Sequence, residues 1–293
     1  MRAIITALAC LSALCAAQPY SFVDFEQKLF PLWLERFHRS DAPADFACLP
    51  VEDGKSKPVA TLYGVADAIH AMFSLQQLNT SHAQDFVNQV DSFQEAPPAD
   101  GFYHLQSYEK FGFNPWHSGA YGAAAIKLVN GDGPKYPYKW AEDIANNASS
   151  WVPTFEPLLD PTDRTIWSAG HKIAGIPAAL IMFNDTPAGG HPEFINWWIQ
   201  YMDNNTDVGR SGFVCKNKAW EPPDMNCLGG FFHLEMVYAW LKTSWRSPEL
   251  TYKSAVGMQH PDGTWSGGQL SYIDIDGLFT VTRSALFNGQ PQD

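Results

Sequence analysis

Positive charge is scarce in this chain: 19 lysines and arginines stand against 31 aspartates and glutamates, a formal net charge of −12. No basic block interrupts that balance, so nucleic acid and anionic membrane surfaces are excluded as natural partners. Cysteine is sparse too, five in all, and no two form the CxxC pair from which structural zinc sites are built. Past the N-terminal residues no apolar run is long enough to span a bilayer; the best candidate, 173–183, has the length of a core helix. Linkers and low-complexity tracts are lacking as well. What remains is 293 residues with 45% hydrophobic content, ample for one large core in a single domain.

The first residues, Met1-Arg2, an apolar run to Leu14 and the small-residue stretch Cys15-Ala16-Ala17-Gln18, read as a cleavable secretory signal over 1–17. The remaining 18–293 is then one exported, extracellular domain. Export permits disulfides and glycosylation. Cys10 and Cys15 leave with the signal, and Cys215 and Cys227 flank a loop containing Trp220-Glu-Pro-Pro-Asp224. A bridge between these two is expected, with Cys48 left over. Sequons begin at Asn79, Asn147, Asn184 and Asn204. The first, second and fourth fall in turns or on outer helices and read as glycan acceptors; Asn184, with Pro187 following, reads as chance.

The strongest pattern is a unit that recurs five times. A glycine-rich, aromatic-capped loop leads into an apolar helix carrying His, Tyr or Asp in its first two turns. The helical starts are Tyr63-Gly-Val-Ala-Asp67, Trp116-His117-Ser-Gly-Ala-Tyr121, Trp167-Ser-Ala-Gly-His171, Leu228-Gly-Gly-Phe-Phe-His233 and Tyr272-Ile-Asp-Ile-Asp276. Between them lie amphipathic segments, near 22–38, 83–94, 138–149, 192–203 and 248–258, with one polar face each. The spacing predicts inner helices walled in on all sides alternating with outer helices that meet solvent. Two of the connecting loops are alike, Gln94-Glu-Ala-Pro-Pro-Ala-Asp100-Gly101-Phe102 and Gln259-His-Pro-Asp262-Gly263-Thr-Trp265, and a weaker copy sits at Gly212-Phe213. Helix starts are locally encoded: Asn114-Pro115 gives an N-cap followed by a first-turn proline, and Ser271-Tyr-Ile-Asp274 is a capping box.

This arrangement resembles the α/α-toroid superfamilies: six-hairpin glycosidases, toroidal polysaccharide lyases, and the terpenoid cyclase and protein prenyltransferase group. The most specific local element is Gln259 to Trp265, similar to the Gln…Asp-Gly-x-Trp turn of terpenoid-cyclase-like repeats. The resemblance implies an all-α toroid, an incomplete or complete barrel of about five to six helical hairpins. It departs from the class II cyclases, since Asp274-Ile-Asp276-Gly277 lacks the full Asp-x-Asp-Asp motif. It places chemistry at the end of the ring where inner-helix N-termini meet the loops. There, unpaired backbone N–H groups favour anionic ligands and keep histidines neutral.

Helical spacing puts Tyr63 with Asp67, His117 with Tyr121, and Tyr272 with Asp276 on one face each, at i and i+4. Asp67, His117, Tyr121, His171, His233 and Asp276 are the candidate catalytic residues. Tyr63, Tyr103, His104, Trp116, Trp167, Trp265 and Tyr272 are the candidate substrate contacts, the aromatics for stacking on sugar rings. His70 ranks below His104 as a lining residue. Asp274 reads as a capping acid, Glu235 as facing another element, and Arg164, Arg210 and Arg283 as carboxylate binders or surface ion pairs. Three functions fit. One is a carbohydrate-active enzyme on an oligosaccharide or polysaccharide, either a hydrolase with Asp67 and Asp276 as paired carboxylates or a lyase with a Tyr/His pair on a uronate. The second is a non-catalytic glycan-binding or structural protein. The third is a terpenoid- or isoprenoid-processing enzyme. No cofactor is called for and no metal ligand set is assigned, although a divalent ion on Asp and His is compatible with the inventory.

Overall fold

The computed structural model describes residues 21–48, 59–96, 101–103, 115–130, 133–159, 166–183, 190–215 and 225–288. Among them the protein is all-α, with three isolated β-bridges and no strand. The chain opens on a segment that runs through α1 (Phe22–Asp24), a π-helical turn over Phe25–Leu29, and α2 (Phe30–Glu35). Then follow α3 (Leu62–Ser74), α4 (Ala83–Ser92), α5 (Pro115–Asn130), α6 (Lys139–Asn146), α7 (Ala148–Phe155), α8 (Ile166–Phe183), α9 (Pro192–Asn204), α10 (Met225–Trp240), α11 (Pro248–Gly257) and α12 (Tyr272–Phe287). None is long and apolar enough to cross a membrane.

The two expected kinds of helix are present. The five apolar segments, α3, α5, α8, α10 and α12, pack on one another in chain order, each on the next. The amphipathic segments lie outside: α4 against α3 and α5, α6 against α8, and α11 against α12. From α9, Trp198 is fully buried and its indole N–H donates to the Ile173 carbonyl of α8. One cluster of buried apolar side chains extends from Phe30 to Ile273 through every inner helix.

Three of the five inner helices start on a local signal. Thr61 caps α3, its Oγ1 accepting from the Gly64 N–H at 3.0 Å. A proline begins α5, where the missing N–H costs nothing. Ser271 and Asp274 close a reciprocal capping box on α12.

The like loops share one set of hydrogen bonds. Gln94 Nε2 donates to the Gly101 carbonyl at 3.0 Å, and Gln259 Nε2 donates to the Gly263 carbonyl at 2.7 Å. Both glycines have positive φ, 79° and 86°, a conformation L side chains rarely adopt; the weaker copy, Gly212, matches them at 75°. Across the loops the Glu95, Asp207 and His260 N–H groups donate to the carbonyls of Phe102, Phe213 and Thr264. The residue after each acceptor, Tyr103, Val214 or Trp265, is buried. Tyr103 plugs against Gly122 of α5 and Trp265 against Gly277 of α12, where an added Cβ would lie 2.7 and 2.3 Å from the rings. The turn therefore drives an aromatic wedge under the helix that follows it.

The disulfide joins Cys215 to Cys227 and leaves Cys48 outside it. Asn79, Asn147 and Asn204 are exposed. The signal-like residues 1–17 and the Asn184 sequon lie outside the described residues.

Candidate functional site

Two contacts lock α3 to α5. The Tyr63 hydroxyl and His117 Nδ1 are hydrogen-bonded at 2.7 Å, and the Tyr121 hydroxyl donates to Asp67 Oδ1 at 2.6 Å. The i, i+4 pairs read from the sequence thus interdigitate, each residue engaging the other helix. Their rings stack, Tyr63 on Tyr121 at 5.3 Å and Tyr121 on His117 at 5.6 Å between centroids. His70 extends the stack at 4.6 Å from Tyr121 and bonds through Nδ1 to the Ala66 carbonyl.

From His117 the polar group continues across two more helices. The His171 ring of α8 lies 4.4 Å from His117, and the His233 ring of α10 lies 3.9 Å from His171. One ring nitrogen from each of the three imidazoles falls within 4.8 Å of the others. Glycine makes the approach possible. A Cβ on Gly170 would sit 2.2 Å from the Gly230 carbonyl oxygen, and one on Gly175 would sit 2.6 Å from the Trp116 backbone. Helix α8 is held against both neighbours by these absent side chains.

His171 and His233 are buried and His117 is partly so. Burial, with His171 adding to it, holds His117 well below the ordinary imidazole range. His233 is lowered likewise, by burial first and then by its two histidine neighbours. A neutral His233 whose Nδ1 meets the Gly229 carbonyl at 2.7 Å must carry its proton there, since a carbonyl only accepts. Burial and the Asp67 carboxylate push Tyr121 well above its usual value and keep the phenol protonated.

Asp276, the remaining catalytic candidate, is buried on α12, where its electrostatic neighbour is Glu235 of α10. Burial, reinforced by Asp276, pushes Glu235 well up, and the Thr280 hydroxyl donating to Oε2 at 2.6 Å partly offsets this. Asp67 and Asp276 therefore sit in different surroundings, Asp67 exposed beside Tyr121 and Asp276 in the core. Thr280 went unread in the sequence, although it lies one turn beyond Asp276 on the same helix face.

The aromatic candidates divide. Tyr103 and Trp265, expected to stack on sugars, are the buried wedges of the connecting turns. The Tyr138 hydroxyl donates to Tyr103, and the Trp265 indole N–H donates to the Ala255 carbonyl at 2.8 Å. Both rings are almost wholly covered by protein, Trp265 leaving only an edge to the depression beside Tyr272. Trp116 is partly buried, edge-on to Trp151. Tyr272 is 60% exposed and borders a depression of about 450 Å³ at the N-terminal ends of α10 and α12, walled also by Met225, Asn226, Trp265, Gln269 and Ile273. His233 lies seven positions after Asn226, about 10 Å further along the helix axis. His104, Arg164 and the side chain of Trp167 lie outside the described residues. Arg210 pairs with Asp207 at 3.2 Å and Arg283 lies over the Phe279 ring.

No family model, no curated protein and no solved structure matches this chain.

Proposed function

We propose that this chain is an exported carbohydrate-active enzyme of α/α-toroid architecture that cleaves a uronate-containing polysaccharide by β-elimination. The toroid, an incomplete ring because α3 and α12 make no extensive contact among the described residues, is supported by the inner helices packing in chain order with outer helices between them in sequence. Export is supported by the N-terminal signal pattern and by the Cys215–Cys227 bridge.

The observation that carries the chemistry is the 2.6 Å bond from the Tyr121 hydroxyl to Asp67 Oδ1, with Asp67 exposed and Tyr121 half-buried. In elimination, the Asp67 carboxylate takes the proton from the carbon beside the uronate carboxyl. The electron pair forms the new double bond as the glycosidic C–O bond breaks. Tyr121, held protonated, gives its proton to the leaving oxygen and regains one from Asp67 across their hydrogen bond, so both groups return to their starting states. The substrate carboxylate is bound beside His117, the partly buried member of the histidine group that stacks on Tyr121. Hydrolysis by Asp67 and Asp276 is the weaker alternative, because Asp276 is buried with Glu235 as its neighbour.

The test is incubation of the purified protein with a panel of uronate-containing and neutral polysaccharides, following the ultraviolet absorbance of an unsaturated product. New reducing ends without that absorbance would replace elimination by hydrolysis. Binding without cleavage would favour a glycan-binding protein, and no response to any polymer would remove the glycan reading altogether.

A further inference from the structure

Three imidazoles from three successive inner helices, α5, α8 and α10, converge in a largely buried setting, with one nitrogen of each within 4.8 Å of the others. We propose that His117, His171 and His233 bind one divalent transition-metal ion of the zinc class, an assignment the sequence did not make. Three neutral imidazoles suit zinc and its neighbours and do not suit calcium or magnesium, which take oxygen ligands. Three protein ligands leave a fourth position open, the pattern of catalytic rather than structural zinc. Tetrahedral bonds of about 2.0–2.1 Å set the nitrogens about 3.4 Å apart, so the rings close in by small rotations on binding.

An independent feature is the support around the ligands. Metal-ligating histidines characteristically donate their second ring N–H to a carbonyl or another acceptor, which fixes the tautomer and the ring orientation. His233 does this through Nδ1 to the Gly229 carbonyl at 2.7 Å, so its lone pair is on Nε2. His117 Nδ1 is held at 2.7 Å by the Tyr63 hydroxyl, so an ion on Nε2 leaves Nδ1–H donating to the phenol oxygen. Close packing of α8 at Gly170 and Gly175 sets the spacing of the helices that carry the three ligands. Tyr63, read from the sequence as a substrate contact, is thus a positioning residue for a ligand.

The site goes beyond the glycan reading and does not depend on it. Where both hold, the open position receives the uronate carboxylate, and the ion supplies the positive charge that Arg210 and Arg283, engaged elsewhere, do not.

The experiment uses the purified full chain, stripped with a chelator and titrated with Co²⁺. The expected result is one equivalent bound, a visible absorption band of four-coordinate intensity, and displacement by one equivalent of Zn²⁺. His171→Gln should weaken binding by more than about 100-fold, and Tyr63→Phe, which keeps all three imidazoles, by about 10–100-fold. The proposal is overturned if wild-type protein binds no stoichiometric Co²⁺ or Zn²⁺. It is also overturned if His171→Gln, folded by circular dichroism, retains the band. Metal binding without glycan turnover would leave the site standing and remove the glycan reading; full turnover in metal-free protein that binds no ion would do the reverse.

Discussion

The imidazoles of His171 and His233 meet edge to face, their centroids 3.9 Å apart, because Gly170 of α8 lies against the Gly230 carbonyl of α10. The distance between two polar side chains is set by a backbone contact beside each of them.

Gly170→Ala puts a methyl 2.2 Å from that carbonyl oxygen, and backbone on both sides leaves no flexible group to yield. The variant should lose roughly 1–3 kcal/mol, as overpacked cores do. Its histidine pair should separate as well. Denaturant midpoints and the imidazole proton chemical shifts check both parts.

The two equivalent turn glutamines should differ in cost. Gln94 is buried and makes three bonds, two from Nε2 to the carbonyls of Gly101 and Tyr136 and one from the Tyr136 N–H to Oε1. Gln259 is exposed and makes one to Gly263. Gln94→Ala should cost roughly 2–3 kcal/mol and Gln259→Ala about 0.5 kcal/mol. Equal costs in chemical denaturation would show that the shared geometry does not set the energetics.

Tyr121→Phe removes a proton donor while keeping the ring stack on Tyr63, His70 and His117. Turnover of a uronate polymer should fall by about 10²-fold or more with KM little changed, and stability should drop by only about 1 kcal/mol. Steady-state kinetics and thermal melting on the same preparation separate these effects. A variant that keeps most of its turnover takes Tyr121 out of the reaction.

Partial burial works to raise the Asp274 carboxyl, but hydrogen bonds from Ser266, Ser271 and Trp265 prevail and hold it at about 2. Because the folded value lies below the unfolded one, its contribution to stability is complete above about pH 4 and is lost as pH falls through about 2. Thermal melts across that acid range should show a loss of stability in the wild type that Asp274→Asn lacks.

Replacing both Cys215 and Cys227 by alanine opens a loop whose ends are 12 residues apart. Chain entropy puts the loss at roughly 3 kcal/mol. Non-reducing peptide mapping should recover the Cys215–Cys227 peptide pair, and thermal unfolding of the double variant should start lower.

The alternation of helix types was legible because burial on all sides and burial on one side leave different residue patterns, and the starts at Leu62, Pro115 and Tyr272 fall within two residues of the expected ones. The turns were legible as turns, since Gly101 and Gly263 need positive φ. Their aromatics were not legible as wedges: a tryptophan after Asp-Gly-Thr looks the same whether it faces a ligand or Gly277, and the choice depends on a residue 12 positions further along. At the site, the i, i+4 pairs brought the right side chains to one face. Which helix each would bond was beyond reach, because spacing along a helix says nothing about the axial offset of its neighbour. The histidine group depends on three such offsets at once.

Because each inner helix rests mainly on the ones just before and after it in the chain, the molecule is close to one-dimensional in its interactions. Structure in such a chain can nucleate at any unit and spread by docking the next, with little entropy spent on distant loop closure. Damage travels the same way: a substitution that loosens α12 loses a terminus, whereas one that loosens α8 severs the array in the middle.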